Sequence, residues 1–315
     1  MLDRVNEFLK DIDLGQAYKE KDLISIPISS IVEKHEFWLS GFNKGKRFVA
    51  VSCSSSNLKI PKNIKLHKAV FFNCHFYDSE ILCEIEDSLF LGCSFHTTQF
   101  SCEFNSSLFI DCTFQGVGFS DSSFEDVTVN NSIFTNVDLN NVWINLSEFT
   151  GNTFKKVNLT GCELSGVGIL STIGLINVNV DSCECSTIKF FGGVLEEVCI
   201  EKSEIGKSLF QNIGIKGASI HATNISNSSF ISCKFNNMHI TGGKISETEC
   251  ISSKFNKHVI SSLFENAIFS CVDIQENYGF KNSKFHNSSV LVMSDKNVDI
   301  KKLGIIGKNN SVTAF

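Results

Sequence analysis

Large apolar residues recur at every fifth position through most of this chain, and that spacing excludes the ordinary elements. The run Phe104, Phe109, Phe114, Phe119, Phe124, Val129, Phe134, Leu139, Ile144, Phe149, Phe154, Leu159, Leu164, Ile169 is unbroken. Two residues before most of these stands something small or branched, such as Cys102, Ser107, Cys112, Val117, Ser122 and Val127. An α-helix repeats its buried face about every 3.6 residues and a strand about every 2, so neither gives a step of five. The composition fits a single repeating apolar interior, with 29 Phe beside 3 Tyr and 2 Pro in 315 residues.

The frame extends upstream through Phe100, Phe95, Phe90 and Ile85 to Ile81, Phe76 and Phe71. Downstream it runs from Leu175 to Ile260, then through Phe264, Phe269, Ile274, Phe280, Phe285 and Val290. One-residue irregularities fall at 81 to 85, 100 to 104, 169 to 175, 260 to 264 and 274 to 280. About 45 pentads result, covering about 70% of the chain. Sorted by every fourth pentad, like falls with like. Phe76, Phe95, Phe114, Phe134 and Phe154 form one column, and Phe71, Phe90, Phe109, Val129 and Phe149 another. The other two are mainly aliphatic downstream, as in Ile200, Ile220, Ile240 and Ile205, Ile225, Ile245. Four pentads per turn would stack such side chains about 4.8 Å apart.

This pattern resembles the pentapeptide-repeat family, whose motif is a small residue, Asp or Asn, Leu or Phe, then two polar residues. Asn158-Leu159, Asp138-Leu139, Asn224-Ile225 and Ser123-Phe124 match it. The resemblance implies an all-β solenoid, a right-handed quadrilateral β-helix of about eleven coils and roughly 50 Å in length. The expected organisation is a small α/β cap over residues 1–66, the β-helix over 67–290 and an irregular C-terminal coil over 291–315. In the cap, Leu2, Val5, Phe8, Leu9 and Ile12 have helical spacing, with Gly15 as a stop. A second helix is expected over Ser30 to Leu39 and a short strand over Arg47 to Ser52. The first coil of a solenoid exposes apolar surface and unpaired backbone, so a cap is needed there, and Phe37 and Trp38 are candidates to plug it. Ile300 and Ile305 rejoin the frame near the end. Members of the family pair end to end, which implies a homodimer through the C-terminal end.

Little in the chain points to catalysis. Cys74, Cys83, Cys93, Cys102, Cys112, Cys162, Cys183 and Cys233 occupy the small inward position. Stacked side chains run parallel, whereas a disulfide needs facing Cβ atoms and zinc needs four converging ligands. Buried cysteine acting as a small hydrophobe is the expected role. The histidines are scattered, and Gly41 to Arg47 is one residue short of a phosphate-binding loop with Arg in place of Ser or Thr. A non-enzymatic protein without cofactor or metal is expected. No run of 18 apolar residues is present, so no membrane-spanning helix is expected. The charged start Met1-Leu2-Asp3-Arg4 has no signal-peptide core, and the expected compartment is the cytoplasm.

Charge is segregated along the chain. Residues 1–68 carry 12 Lys or Arg and 8 Asp or Glu, a net of +4. Residues 69–154 carry 12 acids and no Lys or Arg. Six of these, Glu84, Glu86, Asp87, Glu103, Glu125 and Asp126, are expected on one side of the tube. Twelve charges over roughly 20 Å approach the one per ~1.7 Å of duplex DNA. The quinolone-resistance and gyrase-inhibitor branch of the family mimics duplex, so the resemblance implies binding to a DNA-handling enzyme such as DNA gyrase, with no direct nucleic-acid binding. Two alternatives stay open. The acids solvate an outer face. Or the protein is a scaffold of a bacterial effector or defence assembly, docking through its flat faces and through Phe37, Trp38, Phe42, Lys44, Lys46 and Arg47, aromatics and Arg being enriched at interaction hot spots.

Overall fold

A computed structural model describes residues 2–10, 12, 16–19, 27–41, 45–170, 174–256, 259–275, 283–292, 306–308 and 311–314. The chain forms two compact units, Met1–Thr153 and Phe154–Phe315. Both are β-solenoids built of strands mostly three residues long.

The step of five follows from alternating extended residues and tight corners. Leu89–Leu91, Ser94–His96, Gln99–Phe100 and Glu103–Asn105 make the four sides of one coil. The next strand, Leu108–Ile110, then lies in parallel register on the first, with Phe90 opposite Phe109. Each central residue points into the tube, and the residue two places on turns the corner. Corner residues sit in the left-handed region, for example Asn73 at φ 51°, Asp78 at 49° and Asp121 at 50°. Asn and Asp tolerate that conformation better than most side chains. The irregularities at 81–85 and 100–104 cause no disruption because they fall on the same side of successive coils: Ile81 pairs with Phe100, and Ile85 with Phe104.

The small inward residue has a second task. A hydroxyl there accepts from the N–H of its counterpart one coil back, as Ser107 Oγ does from Ser88 N at 3.2 Å and Ser132 Oγ from Cys112 N at 3.0 Å. The same oxygen donates to nearby carbonyls, Ser107 to Asn105 O at 2.9 Å. Buried corner amides are thereby satisfied. Cysteine makes the weaker version: the thiols of Cys93 and Cys112 donate to Phe71 O and Phe90 O, both at 3.4 Å.

In the first unit the interior is a stack of rings. Phe95 lies face to face with Phe76 and Phe114, at centroid distances of 5.2 and 5.1 Å. Phe100 and Phe119 repeat this at 4.9 Å, and Phe104 and Phe124 at 4.8 Å. The solenoid starts earlier than the sequence frame. Strands Val49–Val51, Ser54–Ser56, Lys59–Ile60 and Lys65–His67 form a complete coil in register with the one after it. Its central residues are Ala50, Ser55, Ile60 and Leu66, and the small first two hide the period. Hence the boundary drawn at residue 66 moves back to about 49.

Among the described residues, helices α1 (Leu2–Leu9) and α2 (Ile28–Leu39) precede that coil. Ile31, Val32 and His35 of α2 are buried together with Phe48. Phe48 in turn meets Phe71 edge-on at 5.0 Å, closing the open end of the ring stack. The expected plug, Phe37 and Trp38, does not do this: Phe37 is 42% exposed, and Trp38 lies beside His35 with ring centroids 5.7 Å apart.

In the second unit the interior is largely aliphatic. Ile205, Ile225 and Ile245 form one ladder, and Ile200, Ile220 and Ile240 another. Phe210 and Phe230 stack at 4.8 Å, and Phe235 and Phe255 at 4.6 Å. An apolar void of about 80 Å³ runs among these side chains. The register continues beyond 290. Ile306–Lys308 pairs with Lys284–His286 and Ser311–Ala314 with Ser289–Val292, so Gly307 and Val312 take the central places. The expected return at Ile300 and Ile305 lies outside the described residues, as do Gly15 and Phe280.

Candidate interaction surface

One wall of the first unit gathers the acids singled out in the sequence. It is made by strands Lys65–His67, Glu84–Glu86, Glu103–Asn105 and Ser123–Glu125, stacked in parallel register. Because side chains alternate along a strand, two outward rows result. One runs Lys65, Glu84, Glu103, Ser123, and the other His67, Glu86, Asn105, Glu125. The adjoining corner column is Lys68, Asp87, Ser106 and Asp126, all with positive φ. All six acids therefore share this wall and its corner.

The wall is partly neutralised by the chain's own N-terminal residues. Lys65 Nζ lies 3.0 Å from Glu84, and His67 bridges Glu84 at 2.9 Å and Glu86 at 3.2 Å. The Lys65 ammonium, aided by His67, holds the Glu84 carboxyl below the usual carboxylate range. Arg4 of α1 reaches the corner column. Its guanidinium donates to Asp126 Oδ2 at 3.2 Å, Ser106 O at 3.0 Å and Thr128 Oγ1 at 3.2 Å. Among the described residues Glu103 and Glu125 have no cation partner. The other acids of the stretch lie elsewhere around the unit, Asp111 with Asn131 at 2.6 Å and Asp121 with Asn141 at 3.3 Å.

The described aromatic and basic residues near the cap make ring contacts of their own. Lys46 Nζ sits 3.8 Å above the Tyr18 ring, whereas Arg47 lies 5.4 Å from the Trp38 centroid. Arg47 Nε also donates to Lys68 O at 2.5 Å. Phe42 and Lys44 lie outside the described residues.

Sequence reasoning missed the adjacent wall. Val49, Val70, Leu89 and Leu108 form an outward column, with Val51, Phe72, Leu91 and Ile110 beside it. Ala17 packs on this wall, together with Val5, Phe8 and Ile12. Thus, among the described residues, α1 lies along the side of the coils, whereas α2 packs at their end. The signal was present in the triplets Val-Phe-Phe, Leu-Phe-Leu and Leu-Phe-Ile, where apolar flanks replace the usual polar ones.

The chemistry on offer is modest. His67, Glu84 and Glu86 bring three donor atoms within 4.8 Å of one another and could hold a divalent ion, although Lys65 already supplies a cation to Glu84. The described cysteines are free thiols. Burial pushes Cys185 and Cys250 up to about 12, which keeps them protonated and unreactive near neutrality. Among the described helices none is long and apolar enough to cross a membrane.

Each pentad here supplies a small inward residue, an inward apolar residue and a left-handed corner, and four pentads close a coil in parallel register. The fold is that of the pentapeptide-repeat proteins. No family model matches the chain, and no curated protein is similar to it. Among solved structures it aligns with HetL, a pentapeptide-repeat protein involved in heterocyst differentiation regulation from the cyanobacterium Nostoc sp. strain PCC 7120. That alignment has 10% identity over 88% of this chain and 92% of that one, with a TM-score of 0.25. QnrB1, a plasmid-mediated fluoroquinolone resistance protein, aligns at 15% identity over 64% and 93%, with a TM-score of 0.28. Tailspike protein 3 of bacteriophage CBA120 aligns at 8% identity over 94% and 62%, with a TM-score of 0.40. These alignments are loose, and the description of the fold rests on the coil register itself.

Proposed function

We propose that this pentapeptide-repeat solenoid is a non-enzymatic binding protein of the cytoplasm whose ligand is a basic surface of another protein. The observation that carries this is the acid wall: Glu103 and Glu125 stand in adjacent coils, solvent-accessible and without a cation partner among the described residues, in a stretch lacking Lys and Arg. A wall locked by backbone register presents charge with little ordering cost on binding. The partner class is a DNA-handling enzyme, such as the type II topoisomerase DNA gyrase, whose cleft takes the acid wall in place of duplex. A second reading is favoured by Arg4, Lys65 and His67, which already occupy several wall acids. In it the protein is a scaffold docking through the exposed Phe37 and its surroundings.

Capture of partners from bacterial lysate at low and high salt separates the two. The first reading expects a DNA-handling enzyme that elutes with salt or competing duplex, and that is lost with Glu103→Lys/Glu125→Lys. Salt-resistant capture that survives this double change but fails with Phe37→Ala selects the scaffold.

A further inference from the structure

Between α1, α2 and the corner column lies a groove of about 530 Å³. Among the described residues, Arg4, Lys10, Arg47 and Lys68 line it, with the acids Glu7 and Asp87. Arg4 is paired with Asp126, so Lys10, Arg47 and Lys68 stand against the two carboxylates, within a chain whose net charge is -6. Gathering like charges in one concavity is unfavourable unless an anion enters. Among the described residues Lys10 and Lys68 make no ion pair. Arg47 is held in place from two directions, by its position over the Trp38 ring and by the bond from its Nε to Lys68 O. Because His35 stacks on Trp38 as well, the indole orients Arg47 rather than offering a platform to a ligand ring.

We propose that this groove binds a phosphorylated small molecule, its phosphoryl oxygens held by Lys10, Lys68 and the pre-oriented Arg47. A phosphoryl group would face three cations, Lys10, Arg47 and Lys68. The planar guanidinium beside two ammonium groups suits phosphate oxygens. The volume lies in the range of small-molecule sites, and bounding elements on several sides favour a compact ligand over an extended polyanion. Asp87 opposes the anion and sets an upper limit on affinity. This site is independent of the acid-wall reading, since Glu103 and Glu125 take no part in it.

Calorimetric titration of the full chain with inorganic pyrophosphate and with ribose 5-phosphate, in low-salt buffer free of phosphate, tests the site. One binding event is expected for each probe, weakened by added salt. Lys10→Gln/Lys68→Asn is expected to weaken it about tenfold or more, and Asp87→Asn to tighten it several-fold. Asn tolerates the left-handed corner at Lys68, whose φ is 56°, so an unchanged melting temperature verifies the fold of the variant. Lys234→Gln, a change in the second unit, should have no effect. Absence of binding by both probes at millimolar concentration overturns the proposal, as does binding indifferent to the lysine pair. Retention by duplex DNA or by phosphatidylglycerol vesicles, with no response to the small probes, overturns it in favour of a macromolecular phosphate.

Discussion

At the scale of single residues, the pentad divides labour in a way that sets the cost of each substitution. Phe95 is fully buried, stacked between Phe76 and Phe114 and flanked edge-on by Phe90 at 5.9 Å. Neighbouring coils are fixed by their own hydrogen bonds and cannot collapse onto a missing ring. Phe95→Ala is therefore expected to destabilise the first unit by about 3–5 kcal/mol in denaturant unfolding. Corners behave in the opposite way. Leu146 is a leucine held at φ 49° and 64% exposed, so it has strain without compensating burial. Leu146→Asn is expected to stabilise by about 1 kcal/mol, read as a rise in melting temperature. No gain, or a loss, would show that this leucine has a packing role.

At the scale of elements, α2 introduces a pH dependence into the cap. His35 is fully buried, and its Nδ1 accepts from Phe48 N at 3.0 Å. Its Nε2 has no hydrogen-bond partner among the described residues. Burial, foremost, lowers its pKa to about 4. The folded state thus favours neutral imidazole, while the unfolded chain takes up a proton near pH 6.5. The contribution is complete above about pH 6.5 and is lost as pH falls toward 4, by up to about 3 kcal/mol. Unfolding followed by Trp38 fluorescence should accordingly weaken between pH 7 and pH 4.5. His35→Leu should flatten that dependence even though Phe48 loses its acceptor. A dependence of equal size in the variant would place the effect elsewhere. The helix α1 is a different kind of element, since its Val5 and Phe8 find a partner only because Leu89 and Leu108 stack into an outer apolar column.

At the scale of the whole molecule, each unit has its own interior character, and the charge segregation acquires a structural meaning. The interior of the first unit is a stack of rings, whereas the second unit keeps an apolar void of about 80 Å³ lined by Ile200, Ile220 and Ile240 among others. Since a coil of the first unit accommodates Phe at all four sides, as at Phe100, Phe104, Phe109 and Phe114, Ile220→Phe has room to fill part of that void. A rise in the stability of the second unit is expected, of about 1 kcal/mol. A fall would mean that the surrounding aliphatic ladder cannot yield to the ring. In the first unit, the net positive charge of residues 1–68 meets the acidic run that follows it, through Arg4 on Asp126 and Lys65 on Glu84.

The sequence by itself determined the coil. A step of five is a local rule, repeated often enough that Phe104, Phe109 and Phe114 declare the inward positions and every fourth pentad declares the stacking. Tertiary structure decided what each wall faces. Ala50 and Ser55 belong to the first coil although nothing in their size reveals it, because register is imposed by the strands stacked on them. Leu89 and Leu108 point outward yet are buried, because α1 covers them from nearly a hundred residues away. Asp126 is an outward acid in the pattern and an ion-pair partner of Arg4 in the fold. Periodicity records which way a side chain points. Only packing between distant segments determines what it meets there.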